Sequence, residues 1–559
     1  MIILGISAFY HDSSACLLEN GKIVAAAAEE RFSRIKHDHG WPEQAIDFCL
    51  KFRKISSGDI DHIVFYEKPF LKFDRILDTY IRNFPLGYGT FHQVIPSWVR
   101  SKLHIKYFIK RKLGKIPYFV SHHLSHAAAA FFLSGFTQSA VITFDGVGEW
   151  NTLSISKGNG NDIEILKVMD FPDSLGLLYS AITAFLGFKV NSGEGKVMGL
   201  ASYGKPAMKQ EFSRLLRIFD DGSFKLNRKY FAYEHSKRMY SKEMIRLFGE
   251  PRIPEGPITK RDEDLAATLQ WFLEEIALKI SAHAKEITGS SRVCYGGGVV
   301  LNSVMNGKLL KSGIFDEYFF LPIGGDGGAA VGCAAFLYAF LTKNAGKQTG
   351  FEKLTNLFWG PSYSKEVSEK ALTEAGLSFR TVDDTEAYIA SKLAQGKIVG
   401  WFEGRMEMGQ RALGGRSILT DSRDPAMKDI LNEKVKHRES FRPFAPVVRE
   451  EDFESFFGST GTTSPFMILC LPVMPEKDSF KAGIHVDNTG RVQTVNEREN
   501  PKIYRIVSEF GKITGVPVII NTSFNLRGEP IVCSPKDAVE TFVKTHMDIL
   551  VLDGLICEK

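Results

Sequence analysis

The sequence predicts an α/β protein made of two similar halves followed by a separate C-terminal domain, and three observations lead there. The first thirty residues read as strand, strand, turn, strand: Ile2 to Ser7, Ser14 to Leu18, Asn20-Gly21, then Ile23 to Ala28. Asn-Gly between apolar runs is the strongest short hairpin signal, because both residues tolerate the positive φ of a tight turn. A second unit of the same kind runs from Ala140 to Phe144, through the glycine turn Asp145-Gly146-Val147-Gly148, to Thr152–Ser156. Third, a polar stretch from Thr342 to Gly350 separates these halves from a segment with its own strands at Ile398 to Phe402, Val516 to Ile520 and Ile549 to Leu552. The expected domains are therefore 1–345 and 351–559.

Each half opens on a hairpin and continues into helices. Actin-like and sugar-kinase-like ATPases, with ribonuclease-H-like halves, are built this way and hold nucleotide between the halves. That likeness concerns fold alone. A chain of 559 residues is too long for one core, which agrees with several domains. A net charge of +5 is small for this size and does not imply wholesale nucleic-acid binding. The seven cysteines lie far apart with no CxxC, which fits reduced thiols in the cytoplasm and argues against structural zinc. MIILGISAFYHD has no basic start and reads as a core strand rather than a signal peptide. The apolar run Ala329 to Leu341 falls short of the ~20 residues that span a bilayer, so no membrane span is expected. Residues 65–117 form a helical, aromatic-rich insertion ending in the basic segment Arg100 to Lys115, read as a solvated amphipathic face, with contact to a membrane surface or an anionic partner as the alternative.

The segment Gly404 to Val448 sets Arg405, Arg411, Arg416, Arg423, Lys436, Arg438 and Arg442 among glycines. Guanidinium forks on glycine-rich backbone suit a phosphate or carboxylate pocket, since Arg binds such anions bidentately and Gly lets the main chain approach. A charged surface loop is the plainer alternative. Further upstream, His122 and His126 stand at i and i+4 before AAAAFF, a spacing that puts both imidazoles on one helix face. Asp145 ends the strand VITF, and Asp326 sits in the turn GGDGG. Carboxylates at strand ends point into clefts, and two His with carboxylate oxygens suit iron, manganese or zinc. Three glycine turns, at 145–148, 193–195 and 296–298, offer backbone N–H groups for phosphate. His11, after the first strand, has the chemistry of a general base, or simply caps a strand end.

Several of these stretches resemble one family. GRMEMGQRALGGRS, KVKHRESFRPFAPVV, HVDNTGRVQTV and NTSFNLRGEPIV are similar to the C-terminal signatures of the O-carbamoyltransferases of nodulation-factor and antibiotic biosynthesis. ILGISAFYHDSSA, EERFSRIKH, HHLSHAAAAFF, FDGVGEW, GEGKVMGLASYG and GGGVVLNSVMNG resemble the N-terminal ones, in order, from Ile3 to about Leu552. Gln410 and Gly415 depart from the family pattern, where Pro and Asn are expected, without removing a charge. The resemblance implies a mononuclear metal, iron foremost, on His122, His126 and Asp326, with Asp145 adjacent and His123 uninvolved. It implies nucleotide or carbamoyladenylate binding at Asp145, Gly146, Val147, Gly148, Glu149, Gly298 and Asn302. His11 becomes the general base, with Lys36 a weaker catalytic candidate. An α+β C-terminal domain like the threonylcarbamoyl-adenylate synthases would hold carbamoyl phosphate and ATP, with Mg, through Arg411, Lys436, Arg442, Arg491, Asn521 and Ser523.

The implied reaction is ATP-dependent transfer of a carbamoyl group, via carbamoyladenylate, to a hydroxyl of a small molecule or glycan; a homodimer is allowed. A sugar or metabolite kinase of the actin-like ATPases is one competitor. A nucleotide-dependent switch that binds a partner through 65–117 is another. No Ser-His-Asp order, GxSxG elbow or P-loop supports a hydrolase or P-loop reading.

Overall fold

The computed structural model describes residues 1–475 and 479–559. They divide into two compact units: residues 1–24 with 53–353, and residues 25–52 with 354–559.

In the first unit, β1 (Ile2–Ser7), β2 (Ser14–Glu19), the first three residues of β3 (Lys22–Ala28), β4 (His62–Phe65) and β5 (Tyr118–Phe119) form a sheet of order β3-β2-β1-β4-β5. β1 runs antiparallel to β2 and parallel to β4, which is parallel to β5. A second sheet uses β6 (Gln138–Phe144), β7 (Asn151–Asn159) and β8 (Asp162–Asp170), followed, after a small ribbon of β9 (Leu216–Ile218) and β10 (Phe224–Leu226), by β11 (Arg292–Gly296) and β12 (Glu317–Phe320). Its order is β8-β7-β6-β11-β12, with β6 antiparallel to β7 and parallel to β11. The two sheets thus share one connectivity, which is the duplication that the paired hairpins predict.

The last strand of each sheet feeds a helix, His122–Phe132 after β5 and Asp326–Asn344 after β12. These helices pack on each other between the sheets. Their close approach explains the composition AAVGCAA: a Cβ on Gly332 would lie 1.8 Å from the Ser125 carbonyl oxygen. Duplication also makes His122 and Asp326 equivalent, each the first residue of its helix. The β1–β2 loop with His11 and the β6–β7 loop with Asp145 are equivalent in the same way. A functional centre at that point is a consequence of the topology.

The insertion carries helices Pro69–Arg82, Tyr88–Arg100 and Ile105–Leu113. It is not solvated throughout, because Lys72, Arg75 and Trp98 are buried.

In the second unit, β13 (Val399–Phe402), β14 (Arg416–Asp421), β15 (Ala445–Arg449), β18 (Gln493–Val495), β19 (Val518–Ser523), β20 (Ile549–Leu552) and β21 (Leu555–Glu558) form a mixed sheet of order β18-β15-β19-β14-β13-β20-β21. The pair β16 (Cys470–Pro472) and β17 (Thr489–Arg491) stands apart. Alternation along β13 splits the core: Val399 and Trp401 pack with Ile503 and Phe510, while Phe402 packs with Leu431, Val435 and Phe542. Residues 25–52 belong here through specific bonds. The Arg34 guanidinium donates to the carbonyls of Ile531 and Pro530, Arg31 donates to Gly409, and the Ala26 N–H donates to Trp359. No helix among the described residues is long and apolar enough to cross a membrane.

Candidate active site

His122 and His126 lie one turn apart, and their Nε2 atoms stand 3.2 Å from each other. Asp145 Oδ2 is 2.7 Å from His122 Nε2 and 3.7 Å from His126 Nε2. Asp326 Oδ1 completes the group, 3.6 and 3.5 Å from the same two nitrogens. All four side chains are buried. Ligands held about 2.0–2.2 Å from one ion lie about 3–3.5 Å apart, so these separations match a shared cation. Asp145, expected beside the metal, is an integral member of the cluster. Asp326, read from sequence as a turn residue, opens a helix instead, and its backbone is thereby fixed.

Local structure holds each group in place. Both Glu149 carboxylate oxygens accept the His122 N–H, capping that helix, and Oε1 also accepts the Lys68 N–H. Asp145 Oδ1 accepts the Gly298 N–H at 3.1 Å, which ties the first glycine turn to the third. A Cβ on Gly148 would crowd His122 Cβ at 3.0 Å and the rings of His122 and His123 at 3.1 Å. Ser174 fixes the turn by donating to the carbonyls of Asp145 and Gly146, and Val147 is buried. Asn302 caps the helix Ser303–Lys311 and exchanges two hydrogen bonds with Gln270. His123 turns away to Thr143, and burial beside His122 pushes its pKa down to about 3.

The cluster demands positive charge. Burial opposes charge on His122, but Asp326 and Asp145 outweigh it and raise its pKa to about 9. Against their own burial, Asp145 is held well below the usual carboxylate range and Asp326 below it, by the surrounding histidines. Protons on imidazole supply that charge, or a divalent ion does so through the Nε2 lone pairs. The donor set of two imidazoles and two carboxylates fits a transition metal. Elemental analysis of the purified protein should give about one such ion per chain, and His126→Ala should lose it; equal metal in both proteins would remove the assignment.

His11 sits on the β1–β2 loop, where Phe9 and Asp12 have φ of 74° and 52°. Its Nδ1 is 2.9 Å from Asp12 Oδ2, and its Nε2 is 3.6 Å from Asp326 Oδ2. Burial works against its charge, yet Asp326 and Asp12 carry its pKa up to about 10.

The cations of the second unit sort into two kinds. Arg416 is fully buried and donates to four carbonyls, those of Glu403, Gly404, Gly415 and Pro361, so it is structural. Arg405 donates to Gly360 and Trp359, and Arg423 pairs with Asp421. Sequence placed these three with the anion pocket; their donors are engaged elsewhere. Arg411, Arg491, Arg442, Arg438 and Lys436 remain. Burial lowers all five, and each of the first four except Arg442 feels Arg442 as an added repulsion. Arg411 and Arg491 make no ion pair among the described residues, and each buries an Nε without a hydrogen-bond partner. Lys436 follows a π-helical turn, Leu431–Val435, and donates to Ser523 and Asn525, all neutral acceptors. Asn521 donates to Ala412 and Gln493 while its Oδ1 stays unsatisfied. Lys36 adds repulsion at Lys436, so it stands near this cluster. Glu439, 3.9 Å from Arg442, offsets part of this repulsion, and the rest is what a bound anion would relieve.

Residues 2–335 match the family described as carbamoyltransferase N-terminus, and residues 390–559 match carbamoyltransferase C-terminus. The chain belongs to the carbamoyltransferase family. Its activity is O-carbamoyl transfer. Relatives of this carbamoyltransferase include an uncharacterised protein of Synechocystis sp., 42% identical over 100% of this chain and 96% of the relative. The nodulation protein NolNO of Sinorhizobium fredii is 36% identical over 99% of this chain and 79% of its own length. Among solved structures, (R)-2-hydroxyglutaryl-CoA dehydratase component A of Acidaminococcus fermentans is 16% identical, with a TM-score of 0.34 over 62% of this chain and 100% of its own.

Proposed function

We propose that this carbamoyltransferase works in two stages on two sites. In the second unit, water cleaves carbamoyl phosphate into orthophosphate and carbamate, and a carbamate oxygen attacks the α-phosphorus of ATP. Pyrophosphate leaves with Mg, and carbamoyladenylate remains. Arg411, Arg442, Arg491, Lys436 and Arg438 neutralise the phosphates, with Asn521 and Ser523 as polar neighbours; Lys36 assists. The observation that carries this reading is the pair Arg411 and Arg491, half-buried guanidinium groups that make no ion pair among the described residues.

The second stage belongs to the first unit. Asp12 orients His11 through Nδ1; with a cation at the cluster to offset Asp326 the imidazole would be neutral, and its Nε2 would take the proton of an acceptor hydroxyl. The oxygen attacks the carbamoyl carbon, the bond to the AMP oxygen breaks, and AMP leaves. The segment Asp145–Glu149, with Gly298 and Asn302, would hold the adenylate. His122, His126, Asp326 and Asp145 would hold a divalent transition ion, iron foremost, which when bound supplies Lewis acidity toward the carbonyl or phosphate. Seven free, buried cysteines support a cytoplasmic setting.

Products decide between this and a kinase. ATP consumption should require carbamoyl phosphate and yield AMP with pyrophosphate. ADP together with a phosphate ester would establish the kinase reading instead, and no turnover at all would favour a switch.

A further inference from the structure

The insertion helix Pro69–Arg82 buries two cations, Lys72 and Arg75, on the side facing the His11 loop. Lys72 Nζ bonds Glu67 and lies 4.1 Å from the Tyr10 ring centroid, and the Tyr10 ring stands 4.7 Å from that of His11. Arg75 is only 8% exposed, and its guanidinium lies 4.9 Å from the Phe171 ring centroid. Its buried Nε has no hydrogen-bond partner, and it forms no ion pair among the described residues. The nearby carboxylates are engaged: Glu67 with Lys72, and Glu149 with the backbone of Lys68 and His122. Lys102 adds a third cation, donating to the Phe9 carbonyl within the strained loop.

Burying a guanidinium without an anion is unfavourable unless a ligand brings one. Its planar fork matches phosphate and carboxylate oxygens. Lys72 lies against Tyr10, Arg75 one turn away feels the same Tyr10, and the Tyr10 ring adjoins His11, where an acceptor hydroxyl must arrive. We infer that Lys72 and Arg75 form an oxyanion subsite for a phosphate or carboxylate group carried by the hydroxyl acceptor. This rests on the reading of His11 as the transfer base. It gives the insertion a role, and it narrows the acceptor to anionic hydroxyl compounds.

Calorimetric titration of the full-length protein with orthophosphate, and separately with acetate, tests the subsite. Wild type should bind one of these anions at a site that Arg75→Ala abolishes and Arg411→Ala leaves intact. Arg75→Lys should keep the site at least about tenfold weaker, because a point charge replaces a fork. Thermal unfolding of each variant checks that the fold is retained. Saturation with AMP should leave the Arg75-dependent site open. Unchanged anion stoichiometry and affinity in Arg75→Ala would overturn the proposal. Loss of the site on adding AMP would overturn it too, by assigning these cations to the adenylate phosphate. Failure of the transfer reading would appear separately, as undiminished acceptor carbamoylation by a His11 variant, whatever the anion count.

Discussion

His11→Asn should lower acceptor carbamoylation by about 10²–10⁴-fold, the usual contribution of a positioned base, while ATP activation proceeds. Asn keeps a polar group of similar reach but cannot take a proton. The geometry makes the effect specific. Asp12 occupies Nδ1 at 2.9 Å, so Nε2, 3.6 Å from Asp326, is the nitrogen that faces the buried cluster. Carbamoyladenylate or its breakdown products should accumulate, followed by mass spectrometry at matched folded fraction. A purely structural His11 would lower both stages together as the loop loosens. Undiminished carbamoylation by the Asn variant would exclude His11 as the base.

Arg411→Ala should reduce pyrophosphate formation by about 10²–10³-fold, the cost of losing one preorganised donor to developing charge. Two features single out this side chain. It has no ion pair among the described residues, and burial with the charges of Arg491 and Arg442 pushes its pKa well down. In the free protein that repulsion is unfavourable, so removing Arg411 leaves folding stability unchanged or raises it while activity falls. Chemical denaturation beside a pyrophosphate assay separates the effects. Arg416→Ala should do the reverse, unfolding the protein by orphaning four carbonyls. An Arg411→Ala protein that releases pyrophosphate at the wild-type rate would move activation elsewhere.

The first unit was largely legible in the sequence because its signals are local. Asn20-Gly21 specifies a hairpin, and His122 and His126 share a helix face at any tertiary placement. Asp145 and Asp326 join them because duplicated topology brings equivalent strand and helix ends together, which the paired hairpins foreshadow. Counting guanidiniums was less informative. Arg416 resembles Arg411 in sequence, yet one satisfies backbone carbonyls and the other makes no ion pair among the described residues, a difference set by residues such as Pro361 and Glu403. The setting of residues 25–52 is not legible for a similar reason: Arg31 and Arg34 tie them to carbonyls of Gly409, Pro530 and Ile531, hundreds of residues away. Nothing in the local pattern of EERFSRIKH signals that. Likewise, the burial of Lys72 and Arg75 has no counterpart in a helix whose sequence reads as amphipathic and solvated.

Carbamoyl-phosphate-dependent exchange of labelled pyrophosphate into ATP isolates the first stage, because it needs adenylate formation and its reversal but no acceptor. The two-site account predicts exchange at the wild-type rate in His11→Asn and near-complete loss in Arg411→Ala. Loss of exchange in His11→Asn in step with carbamoylation, or its absence from the wild-type protein, would contradict it.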